Sequence, residues 1–153
     1  AYYHWSPSNA ALAWDRLGMA IGFMSLAALV SGEFGSQKAA PKLLWPLLAI
    51  GIASVLYWSH TEILGFGDLR PYALIQFVPI LLIPMTLMLY PDRSDLARWF
   101  WWLIALYLLS KIAEHFDRQI FELGRLFSGH SLKHLLAAAA TASLLVGLRR
   151  RAL

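Results

Sequence analysis

The sequence contains no cysteine and little charge: of 153 residues, only 14% are Asp, Glu, Lys or Arg. Without cysteine there is no disulfide framework and no thiolate metal site, so any metal ion has to be held by His, Asp or Glu. An ordinary soluble domain is about 25% charged and about 45–50% apolar. This chain is 59% hydrophobic with a mean hydropathy of +0.56. It also lacks internal repeats, acidic or Gly/Ser-rich tracts and a long polar tail, which excludes solenoid and disordered architectures. Five hydrophobic spans of about 20 residues each would fill about 100 residues, leaving little for a separate soluble domain. The composition therefore predicts an all-α fold, a single polytopic transmembrane helix bundle over 1–153.

The net charge of +4 and pI near 9.6 raise the possibility of nucleic-acid binding. Three of the basic residues, however, are Arg149, Arg150 and Arg151, directly after an apolar run. That is the pattern of a cytoplasmic helix end, so nucleic acid is not expected as a partner. The opening Ala1-Tyr2-Tyr3-His4-Trp5 has no basic segment before an apolar core and does not read as a signal peptide.

Five spans are expected, at about 10–30, 43–58, 72–90, 96–121 and 128–148. The second is short for a membrane helix. The third carries Pro79 and Pro84, which kink a helix and free backbone carbonyls that neighbouring helices must satisfy. Trp5, Trp58, Tyr72, Tyr90, Trp99, Trp101 and Trp102 sit near span ends and read as an interfacial belt. With the Arg149–Arg151 end cytoplasmic, that side holds seven basic residues against six on the other. All five histidines and six of the nine acids then fall on the opposite face. Ionisable groups at a membrane are costly, so such one-sided enrichment points to a site or an aqueous cavity there.

His130-Ser131-Leu132-Lys133-His134 opens the last span. A spacing of four places both imidazoles on one helical face, about 5–6 Å apart at Cβ, where they can converge on one ion. Ser128 is placed to cap this helix. Two histidines at an interface are also common without a metal, and an isolated HxxxH does not decide between the two. A catalytic zinc takes three protein ligands and leaves a position for water. His4 is the best third candidate, being on the same face before the first span. Asp15 follows it by eleven residues, inside an apolar span, where an unpaired carboxylate is expensive. Asp15 either forms an interfacial pair with Arg16 or serves as a carboxylate that orients or deprotonates a water.

These residues carry a family resemblance. Tyr3-His4-Trp5, Trp14-Asp15-Arg16-Leu17-Gly18-Met19, Gly67-Asp68-Leu69-Arg70 and Ser128-Gly129-His130-Ser131-Leu132-Lys133-His134 together resemble the alkaline ceramidase family, most of all its bacterial members. That family belongs to a wider group of seven-helix membrane hydrolases that includes the adiponectin receptors. The resemblance runs over nearly the whole chain, its most specific part being a His, an Asp eleven residues later and a distant HxxxH. It implies zinc held by His4, His130 and His134, and Asp15 as the general base. It also implies zinc-dependent hydrolysis of the amide bond of ceramide or a related N-acyl lipid, taken directly from the bilayer. The family has seven helices where five are expected here, and its serine four residues before the first zinc histidine would fall before Ala1. The resemblance thus implies a chain without the family's first two helices.

Other polar groups have structural readings. Lys111, Glu114, His115 and Arg118, at spacings of three and four, form a salt-bridged stripe at a solvated helix end. His60 and Glu62 make a weak competing metal pair, and Asp68 with Arg70 pins a loop or caps the third span. Among alternative functions, a non-enzymatic receptor or lipid-binding protein with a structural zinc stands second to the amidase. A haem protein is disfavoured because both histidines lie on one helix. A transporter is ranked last because no second half repeats the Pro79–Pro84 interruption.

Overall fold

The computed structural model describes residues 8–36, 38–90, 94–125 and 128–152, and every element among them is helical. In chain order these are α1 (Asn9–Val30), a π-helical turn (Ser31–Gly35), α2 (Ala39–Ile63), α3 (Arg70–Leu89), α4 (Ala97–His115), α5 (Asp117–Gly124) and α6 (Gly129–Ala152). Four segments are long and apolar enough to cross a membrane: Asn9–Gly35, Ala40–Ile63, Arg70–Leu89 and Gly129–Arg151. Only 17–33% of each apolar stretch is buried inside the protein. The rest faces outward, including Trp45, Leu56, Leu81 and Met88, a surface suited to lipid and unlike that of a soluble monomer.

Two spans differ from expectation. The second is not short: α2 has 25 residues, about 38 Å of helix. Pro41 sits in its first turn, where the missing N–H has no helical partner to lose. At the other end Thr61 turns its hydroxyl back onto the Trp58 carbonyl (2.9 Å), as Ser54 does onto that of Gly51 (2.7 Å), so polar residues stay inside the helix. The fourth span does not run unbroken to residue 121. α4 stops at His115, Phe116 leaves helical geometry (φ −95°, ψ 24°), and α5 follows as a separate short helix. Between Arg98 and Lys111, α4 has twelve uncharged residues, about 18 Å of helix against a hydrocarbon core of about 30 Å.

The helices form two compact units, divided between Thr86 and Leu87. In the first, Ser8 caps α1 by accepting from the Ala11 N–H (3.1 Å). α1 and α2 pack antiparallel: Asn9 at the start of α1 donates to Glu62 near the end of α2 (3.3 Å), and Gly32 meets Ala40 at the opposite end. A Cβ on Gly32 would overlap that of Ala40, and one on Gly51 would come within 2.9 Å of Met24 Cγ. Small residues thus set the closeness of this pair, as they do between helices in lipid. Ala20, Met24 and Val55 form its core with Tyr72 and Ile75 from the first turns of α3.

In the second unit α4 and α6 pack antiparallel. The Trp99 ring near the start of α4 lies on Gly147, while Gly129 at the start of α6 lies against Ala113 and Asp117. Leu96, Phe100, Ile104, Ala140 and Leu144 are buried between these contacts.

Candidate metal centre

The histidine pair stands in the first two turns of α6. Ser128 caps the helix, its Oγ accepting from the Ser131 N–H (3.1 Å). A second carboxylate cap comes from α5, where Asp117 Oδ1 accepts from the His130 N–H (2.7 Å). Asp117 therefore fixes the backbone from which the first imidazole projects. His130 is half-buried and His134 exposed.

The two Nε2 atoms are 3.1 Å apart, with the rings edge-to-face at 75° and their centroids 4.8 Å apart. Two nitrogens at about 2.0–2.1 Å from a tetrahedral zinc lie about 3.3 Å from each other. The pair thus already has nearly the bite of two zinc ligands. A hydrogen bond satisfies the same distance when one neutral ring donates Nε2–H to the other. The donor set fits two of the three expected zinc ligands.

His4 lies outside the described residues. Asp15 is half-buried on α1 and belongs to the first unit, whereas His130 and His134 belong to the second. Asp15 and Arg16 do not form the pair that adjacency allowed. Among the described residues Asp15 meets no cation, and the Arg16 guanidinium lies over the rings of Trp58 (3.7 Å) and Tyr72 (5.4 Å). Among the described residues no three His, Asp or Glu side chains gather closely enough to hold a metal ion.

The polar stripe on α4 is rearranged relative to its expected pairing. Glu114 bridges Lys111 on its own helix (3.0 Å) and Lys133 on α6 (2.7 Å), while Arg118 pairs with Glu122 along α5 (2.7 Å). Burial raises the Glu114 pKa, but hydrogen bonds from Lys133 and then Lys111 outweigh it and lower the value to about 2. This bridge joins α4 to the helix that carries both histidines.

His60 and Glu62 stand in the last turn of α2, before the polar loop that holds Asp68. His60 is exposed, and Glu62 accepts from Asn9. Asp68 caps α3 through the Arg70 N–H (3.0 Å) and holds the Arg70 guanidinium in a two-point bridge (2.9 and 2.8 Å). These Arg70 contacts hold the Asp68 carboxyl well below the usual range. Gly65 (φ 89°) and Gly67 (φ 52°) provide the left-handed backbone the turn requires.

Sequence reasoning missed Asp117 as a cap and Lys133 as a partner across helices. Asp117 and His130 are thirteen residues apart, beyond any helical period, and α5 had not been separated from the span before it. No family model matches this chain, and comparison with curated proteins and with solved structures returns no match.

Proposed function

We propose that the chain is a zinc-dependent intramembrane amidase of the alkaline ceramidase type, hydrolysing the amide bond of ceramide or a related N-acyl lipid. The observation that carries this reading is the 3.1 Å separation of the His130 and His134 Nε2 atoms at the start of an apolar helix. The resemblance in the motifs around His4, Asp15 and His130 supports it. In this reading α4 crosses together with the four longer segments, its polar Lys111–His115 end reaching beyond the hydrocarbon core, so that the arginine end of α6 is cytoplasmic and the histidines face the other side.

His130 and His134 would hold the metal through Nε2, with His4 as the third ligand by resemblance. Bound there, zinc supplies Lewis acidity and makes a water strongly nucleophilic at neutral pH. Asp117 and Ser128 hold the backbone of the first turn of α6, from which the first ring projects. By the resemblance, the Asp15 carboxylate takes the proton released when water adds to the amide carbonyl. Outward-facing apolar helices suit a substrate whose chains remain in lipid.

The test is metal content by plasma mass spectrometry on detergent-purified protein, with His130→Ala and His134→Ala variants of matched helicity. Close to one zinc per chain, lost in both variants, is the expected result. Metal-free wild-type protein with intact helicity would overturn the reading. With zinc retained, release of free fatty acid from ceramide separates the amidase from a lipid-binding protein with a structural metal.

A further inference from the structure

A cavity of about 600 Å³ opens at the other end of the second unit, between the start of α4 and the last turns of α6. Among the described residues, Arg98, Arg150 and Arg151 line it together with Trp99, Gly147 and one carboxylate, Asp95. The Arg98 and Arg150 guanidiniums lie over the Trp99 ring, 5.3 and 5.5 Å from its centroid. That ring is seated on Gly147, where a Cβ would overlap the indole. Glycine on one helix and tryptophan on the other thus build the floor of a cationic cleft. Among the described residues neither Arg98 nor Arg150 pairs with a carboxylate. Beside the cleft, Trp101, Trp102, Leu145 and Val146 are exposed and apolar.

We propose that this cleft binds the phosphate of an anionic membrane lipid, with the acyl chains lying along the neighbouring apolar surface. Arginine presents a planar fork of donors that matches phosphate oxygens, and two forks held over one indole are already oriented. Arg98 and Arg150, which pair with no carboxylate among the described residues, make the cleft cationic. Basic pockets between helices at the cytoplasmic face are where anionic headgroups bind. A free phosphate would satisfy the arginines equally well. The adjoining apolar surface favours the lipid, because a soluble anion would leave it uncovered. The proposal rests on the membrane reading and not on the amidase, and zinc content does not bear on it.

Native mass spectrometry of the full chain, in detergent with phosphatidylglycerol or phosphatidylcholine, tests it. The expected result is one phosphatidylglycerol retained in preference to phosphatidylcholine. Arg98→Gln/Arg150→Gln should weaken that retention about thirtyfold, at about fivefold for each arginine. Gly147→Leu keeps every arginine but displaces Trp99, and should also lose the lipid. Arg118→Gln/Arg125→Gln removes the same charge elsewhere and should retain it. Equal retention of both lipids would overturn the proposal. So would unchanged binding in the Arg98/Arg150 variant at native helicity, or equal loss in the Arg118/Arg125 variant. Displacement of the lipid by millimolar inorganic phosphate would overturn the lipid as source and assign the cleft to a soluble phosphate.

Discussion

The α1–α2 pair and the α4–α6 pair are both antiparallel and both brought close by glycine, yet they are fastened by different means. Among the described residues, the links between α1 and α2 that involve a polar group are Asn9 to Glu62 at one end and the Arg16 guanidinium on the Trp58 ring, and much of the rest is contact between small and apolar residues. Around α4 and α6, Glu114 reaches Lys133 and Asp117 reaches the His130 N–H, both within a turn of the histidine pair. Close packing of small residues can carry most of the contact where two helices only need to be near each other. Where two side chains must point at one place, directional bonds fix the rotation and axial position of the helix that bears them.

Substitutions at the two glycine seams give the widest separation. A Cβ on Gly129 would run into the Ala113 carbonyl and the Asp117 Cα, both backbone atoms that cannot step aside. Gly129→Val should therefore destabilise the second unit by about 3 kcal/mol. At Gly51 the nearest obstacle is the movable Met24 Cγ at 2.9 Å, and Gly51→Ala should cost about 1 kcal/mol. Unfolding in mixed micelles, followed by circular dichroism, measures both. Equal losses would remove the contrast between backbone-limited and side-chain-limited approach.

Asp117→Ala comes next, at about 1 kcal/mol for a lost helix cap. Amide exchange at His130 should rise, and zinc retention should fall with histidines and charge pattern on α6 otherwise intact. Unchanged exchange would mean that Ser128 alone holds the helix start.

Glu114→Gln should have a smaller effect, because the carboxylate is 38% exposed and its ion pairs are screened. Its signature is in the pH dependence. The folded-state pKa is lowered to about 2 from an ordinary 4.5, so the stabilisation is complete above about 4.5 and is lost as pH falls through about 2. An acid titration of stability should flatten across that window in the variant. Smallest of all is Gly18→Ala on α1, where nothing lies within 4 Å of the added methyl. It should stabilise by about 0.5 kcal/mol through the unfolded chain.

The helices were legible because each rests on a long, mostly apolar run: Asn9–Val30, Arg70–Leu89 and Gly129–Ala152 lie within four residues of the expected spans at either end. Boundaries failed where side chains act locally. Thr61, beyond the expected end at residue 58, satisfies its hydroxyl within the longer α2, and Phe116 breaks α4 without a Pro or Gly to announce it. The histidine pair was legible because i and i+4 share a helix face. What holds it was not, since Asp117 and Glu114 act across helices. Trp99 read as an interfacial anchor, and only its seat on Gly147 places it in a cleft.

α3 is the most interrupted of the apolar helices among the described residues: α2 carries one internal proline, Pro46, and α1 and α6 carry none. Pro79 and Pro84 lie inside α3, five residues apart, and each withdraws the amide that would have bonded the carbonyl four residues earlier, at Ile75 and Ile80. Mechanically it is three stiff rods joined by two compliant hinges, where α1 is a single beam. When the surrounding bilayer thins or thickens, α1 has to tilt as a whole, and α3 can absorb the same strain by flexing in place.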